Sequence, residues 1–189
     1  MTERDIPLEA ADDEAALHVM DACIEARRTN ALGHLRAAEY VALFDDAIMR
    51  FFAIAGLTGP DLKHRGHTTP FLMDLHATYL RELGAGDQVA ITVQVLDVDA
   101  RRARIFLQMH KQDALDAARD SHSTERYGKR ESAATCELAL INMDIASRRP
   151  TPWSREQAET WDRLKVAHAG LGMPPQAGRA IGALTKPSI

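Results

Sequence analysis

The spacing of apolar and polar positions changes several times along this chain, and each change marks a new element. From His18 to Arg27 the residues alternate. His18, Met20, Ala22, Ile24 and Ala26 fall on one side, and Val19, Asp21, Cys23, Glu25 and Arg27 on the other, which is the period of a strand. The run ends in a turn from Thr29 to Gly33. From about Arg36 to Ala55 the residues are almost wholly apolar over a helical length, with Gly56 and then Gly59-Pro60 as stop signals. So apolar a helix predicts cover by other elements on most of its sides.

Four strand patterns follow a polar loop around Lys63 to His67. Phe71 to Leu83 leads into the turn Gly84-Ala85-Gly86-Asp87, and Val89, Ile91, Val93 and Val95 then alternate with partners of smaller or more polar character. Asp97 to Arg102 reads as a hairpin turn before the strand Ala103 to His110, and Ser132 to Ile145 completes the set. The polar insert over 112–131 is long for a hairpin connection. Pro150 and Pro152 close the sheet pattern. Ser154 and Gln157 have the spacing of a capping box, opening a helix to about Ala167 that carries Trp161 and Leu164. The glycine- and proline-rich tail from Gly170 is expected to be extended or disordered.

The predicted organisation is an acidic arm over 1–15, one domain over 16–153, and a C-terminal helix with a flexible tail over 154–189. A strand, a single long apolar helix and four antiparallel strands in meander order give an α+β protein, its sheet curled around the helix in the hotdog arrangement.

Composition adds exclusions. The 189 residues suit one domain, and 46% apolar with 26% charged residues is ordinary for a globular chain. A formal net charge of −4 without a basic cluster argues against nucleic acid. No run reaches the roughly 18 apolar residues that span a bilayer, and the acidic N-terminus does not resemble a signal peptide. Cys23 and Cys136 form no close pair, and each sits in an apolar run that predicts a buried thiol in a reducing cytoplasm.

Three segments carry a resemblance, each in the expected order. Gly33-His34 followed by Tyr40, Phe44 and Ala47 resembles the glycine-histidine turn and helix of the 4-hydroxybenzoyl-CoA thioesterase-like family. His76 to Asp87 is similar to that family's second strand and glycine-aspartate turn. Ala133 to Asp144, then Arg148-Arg149-Pro150, is similar to its last strand and exit. The subgroup it most resembles is the betainyl-CoA thioesterase type of carnitine catabolism.

The resemblance implies an acyl-CoA thioesterase acting on a small or polar acyl-CoA, with coenzyme A brought by the substrate, no other cofactor and no metal. It further implies a homodimer or dimer of dimers holding acyl-CoA between subunits. In that family a helix N–H polarises the thioester carbonyl, here near Ala37, and an aspartate three positions before the turn glycine acts as nucleophile or base. Asn30 stands at that position, and an amide orients water or a carbonyl but takes up no proton at neutral pH.

Asp45 is therefore a candidate base by analogy with other hotdog enzymes that carry an acid on this helix. It is expected to project among Tyr40, Leu43, Phe44 and Ile48, although a cap or a pair across a dimer would also satisfy a carboxylate there. His34 either orients Asn30, lines the acyl pocket or fixes the turn. Gly33, Ala37 and Tyr40 are expected around the substrate. Asp74 and His76 share one strand face by parity, and either reach the same cavity or form a structural pair. His64 and His67 have an H-x-x-H spacing with no third ligand, the pattern of a solvated loop. Two other readings fit the same fold: a non-catalytic acyl-CoA binding protein, or an acyl-thioester hydratase or dehydratase.

Overall fold

The computed structural model describes residues 16–57, 68–112 and 132–181. Its elements run β1 (Leu17–Cys23), a one-turn 3-10 helix (Ala26–Arg28), α1 (Ala37–Ile54), β2 (Thr68–Tyr79), β3 (Gln88–Val98), β4 (Arg102–Gln112), β5 (Ser132–Asp144), β6 (Arg149–Pro150) and α2 (Arg155–Ala167). The five long strands form one antiparallel sheet in the order β1-β3-β4-β5-β2, with β6 paired to β5. The 112–131 insert and the His64–His67 pair lie largely or wholly outside the described residues.

Strand register decides which side chains meet the helix. Val93, Leu107, Cys136 and Ala77 occupy one cross-strand row, and Ile91, Met109, Ala134 and Tyr79 the next, both on the inner face. Against that face α1 buries Tyr40, Leu43, Phe44, Ala47, Ile48, Phe51 and Phe52, a stripe at helical spacing, completing the hotdog core. The opposite face carries Gln94, Phe106, Glu137 and His76 in one row and Thr92, Gln108, Thr135 and Thr78 in another.

Five sequence expectations need correction. The four strands after α1 are not in simple meander order, because β2 pairs with β5 at the far edge of the sheet and β1 takes the place beside β3. The helix is not covered on most sides, because Ala42, Asp45, Asp46, Met49, Arg50 and Ala53 form an exposed stripe. β1 stops at Cys23, and a bulge between His18 and Met20 turns both Val19 and Met20 inward, so strict alternation fails there. Cys23 is exposed, since it lies at the end of an edge strand; Cys136, in a central row, is buried as expected.

The tail, finally, is packed over part of its length. The side-chain amide of Gln94 donates to the carbonyls of Leu171 and Gly172 at 3.1 and 3.2 Å, and the Gly178 N–H donates to Glu137. Residues 171–178 thus cross the outer face from β3 to β5. The capping box forms as its spacing predicts: Ser154 Oγ accepts from the Gln157 N–H, and Gln157 Oε1 accepts from the Ser154 N–H. Trp161 is buried with its ring 5.9 Å from Phe51 and 5.3 Å from Trp153, which fastens α2 to the end of α1. No helix among the described residues is long and apolar enough to cross a membrane.

Candidate active site

The turn ahead of α1 is built by its own side chain. Asn30 Oδ1 accepts from the N–H groups of Leu32 at 2.9 Å and His34 at 3.2 Å, and the main-chain groups of Asn30 bond to the His34 carbonyl and the Gly33 N–H. Such a loop needs one left-handed residue. Gly33 supplies it at φ 81°. The chain then enters α1 through Arg36, which is extended and provides no side-chain cap. The N–H groups of Ala37 and Ala38 consequently have no acceptor among the described residues.

A second loop, following β2, is stitched to this turn. The Leu35 N–H donates to the Leu83 carbonyl at 2.7 Å, and His34 forms an isolated bridge with Gly84. Tyr40 links the same loop to the helix, its hydroxyl donating to the Arg81 carbonyl at 3.2 Å and accepting from the Leu83 N–H at 3.1 Å. Burial, reinforced by the carboxylates of Glu82 and Asp87, pushes the Tyr40 phenol above its ordinary pKa although the Leu83 N–H works the other way. Tyr79 meets Tyr40 edge-to-face with centroids 5.3 Å apart, and its hydroxyl donates to the Ala37 carbonyl.

Between the two loops and the first turn of α1 lies a cavity of about 360 Å³. It is lined by Asn30, His34, Leu35, Ala37, Tyr40, Tyr79, Leu80, Arg81 and Glu82. His34 Nε2 stands 3.3 Å from Glu82 Oε2 at its mouth. The acid of the first helical turn, Glu39, is already engaged by Arg28 and Arg36. No group of three metal-ligating side chains occurs among the described residues.

Of the residues singled out from the sequence, Asn30, His34, Ala37 and Tyr40 come together here, with Gly33 shaping the turn. Asp45, Asp74 and His76 do not. Asp45 belongs to the exposed stripe of α1, because its neighbours on a helix surface are Ala42 and Met49, three and four positions away. Asp74 and His76 do share a face as parity predicts, but register with Ala139 and Glu137 puts it outside, away from α1 and the cavity.

Tyr79 and Glu82 line the cavity without having been singled out. Parity gave a usable signal for Tyr79, which shares the inner face with Leu75 and Ala77. Glu82 lies beyond the paired strand, where alternation carries no information.

Comparison with known proteins matches residues 24–161 to the model of the thioesterase-like superfamily. The chain belongs to the thioesterase-like superfamily. It is 28% identical over 150 residues to a betainyl-CoA thioesterase of Pseudomonas aeruginosa, a match spanning 79% of this chain and 84% of that protein. It is also 25% identical to a Ruegeria pomeroyi L-carnitine dehydrogenase/betainyl-CoA thioesterase, covering 92% of this chain but only 32% of that larger protein.

Solved structures agree on the fold of this superfamily member. A Staphylococcus aureus protein solved in complex with CoA superposes with a TM-score of 0.73 at 20% identity, over 90% of this chain and 98% of the other. A DHNA-CoA thioesterase from the same species gives 0.60 at 15% identity, over 77% and 89%.

Proposed function

We propose that the protein is an acyl-CoA thioesterase that hydrolyses a small or polar acyl-CoA to the free acid and CoA. The observation that carries this reading is the uncapped N-terminus of α1, with the Ala37 and Ala38 N–H groups unclaimed, at the cavity shared by Asn30, His34 and Tyr79. Unpaired N–H groups at a helix start stabilise the oxyanion that forms when water adds to a thioester carbonyl. Asn30 holds the loop in place with Oδ1 and keeps its amide N–H₂ available to orient the carbonyl or the water.

The relatives named for betainyl-CoA suggest the first substrate to try, and the ring of Tyr79 offers a face for a quaternary ammonium group. We further place the working unit as a homodimer. The outer edge of β2 exposes Phe71, Leu72 and Met73, with Tyr79 and Leu80 at its end, and Tyr79 and Leu80 also line the cavity. A long apolar edge strand is a template for a second strand. Two cysteines outside any disulfide fit a cytoplasmic setting.

Purified protein incubated with betainyl-CoA, acetyl-CoA and longer aliphatic and aromatic acyl-CoAs, with free thiol followed by a chromogenic disulfide, tests the reaction. Saturable thiol release favouring the short polar substrates is expected. Binding without turnover, or hydration of an enoyl-CoA without thiol release, would replace this reading with one of the two alternatives.

A further inference from the structure

We propose that His34 and Glu82 together form the general base of this site, Glu82 supplying the carboxylate that Asn30 lacks. The inference rests on the thioesterase reading above and names the group that removes the proton from water. Three observations lead to it.

The first is geometric. His34 Nε2 lies 3.3 Å from Glu82 Oε2, and both residues line the same cavity as Ala37, the first residue of α1. With Nε2 turned to a carboxylate, the imidazole carries its proton there and leaves the Nδ1 lone pair as acceptor. No described residue bonds to Nδ1.

The second observation is that the backbone beneath the pair is anchored, while the side chains themselves are open to solvent, His34 by 42% and Glu82 by 76%. His34 is fixed through its main chain by Asn30 on one side and by the bridge to Gly84 on the other. Glu82 sits between Arg81 and Leu83, whose carbonyl and N–H are both bound by the Tyr40 hydroxyl. Both side chains therefore leave anchored backbone.

The third is elimination. Asn30 accepts no proton and its Oδ1 already takes two N–H groups. Glu39 is held between two arginines, and burial keeps Tyr40 protonated. Asp45, Asp74 and His76 line no part of the cavity.

The step balances without any co-reactant. The Nδ1 lone pair of His34 takes one proton from water as the water oxygen bonds to the thioester carbon, and the carbonyl π pair moves onto oxygen, facing the N–H groups of α1. The Glu82 carboxylate offsets the imidazolium charge. Collapse of the tetrahedral species then breaks the C–S bond, and the departing sulfur takes the proton from His34. The products are a carboxylic acid and the CoA thiol.

Steady-state thiol release by the full chain, His34→Ala, His34→Gln and Glu82→Gln tests the assignment, with thermal melts confirming that each variant folds. His34→Ala is expected to lower kcat by about 100-fold or more, the usual scale of general-base catalysis, with KM changed less than about threefold. Added imidazole should restore part of that activity, and the rise of kcat with pH should flatten. Glu82→Gln should lower kcat about tenfold.

A His34 variant that keeps kcat within about threefold, a folded His34→Ala whose loss imidazole does not restore, or a Glu82→Gln with unchanged kcat overturns the dyad while leaving the thioesterase reading intact. Should His34→Ala fail to fold, His34→Gln decides by the loss of kcat and of its pH rise. If the unaltered protein releases no thiol from any acyl-CoA, both readings fall.

Discussion

At the scale of single residues, the site depends on side chains that serve the backbone. Tyr40 uses one hydroxyl as donor to Arg81 and acceptor from Leu83, so Tyr40→Phe strands a buried main-chain N–H and a carbonyl in the loop that carries Glu82. Leaving such groups unpaired costs about 1–3 kcal/mol. Urea denaturation should register that loss, and a change below about 0.5 kcal/mol would mean that the loop is held by other means. Asn30 plays a comparable part, its neutral Oδ1 accepting both the Leu32 and the His34 N–H and so holding the turn. Cys136 needs no role in the chemistry, because burial pushes its thiol up to about 12.

At the scale of elements, His168 at the end of α2 does unusual work. Its Nδ1 accepts the Val95 N–H at 2.9 Å, sealing an edge of β3 beyond the reach of β1, while Nε2 is buried with no partner among the described residues. Burial pushes its pKa down from 6.5 to about 4. Between those values the unfolded chain holds a proton that the folded one refuses, so stability falls as pH falls. About 2 kcal/mol should be lost between pH 7.5 and pH 5. Urea midpoints at the two pH values, compared with those of His168→Gln, check this; equal pH dependence in both proteins would rule it out.

Legibility followed the same division. Elements with a sustained period could be read: α1 runs from Ala37 to Ile54 against an expected Arg36 to Ala55, and β3, β4 and β5 lie where alternation put them. The capping box at Ser154 was equally plain. Misreadings came where one long-range contact decides the outcome. The bulge in β1 reversed a face, the tail's attachment depends on Gln94 and Glu137 far away in sequence, and the His34–Glu82 pair joins two loops that share no local pattern. Asp45 was misplaced for another reason. A helix rich in apolar residues still exposes a stripe when a single sheet covers it.

For the whole molecule, the cavity sits beside the edge strand β2, where Tyr79 ends the strand and Leu80 follows it. If two chains join along that edge, assembly and activity should fail together. Met73→Asp places a charge on an exposed position of the strand and should leave the single chain folded. Light scattering after size exclusion should then show the monomer mass, with thiol release at least tenfold below that of the unaltered protein. A monomeric variant with full activity would separate the site from the interface.

The unequal ends of the sheet carry a wider consequence. β1 is short and marked by His18 and Asp21, whereas β2 offers a twelve-residue border, itself irregular between Leu72 and Asp74, that exposes Phe71, Leu72, Met73 and Tyr79. Among the described residues each chain therefore offers one border of this kind. If two such borders meet around a two-fold axis, as proposed, neither chain keeps a second one of the same kind there, so growth by strand addition would stop at the pair rather than run on into a fibre.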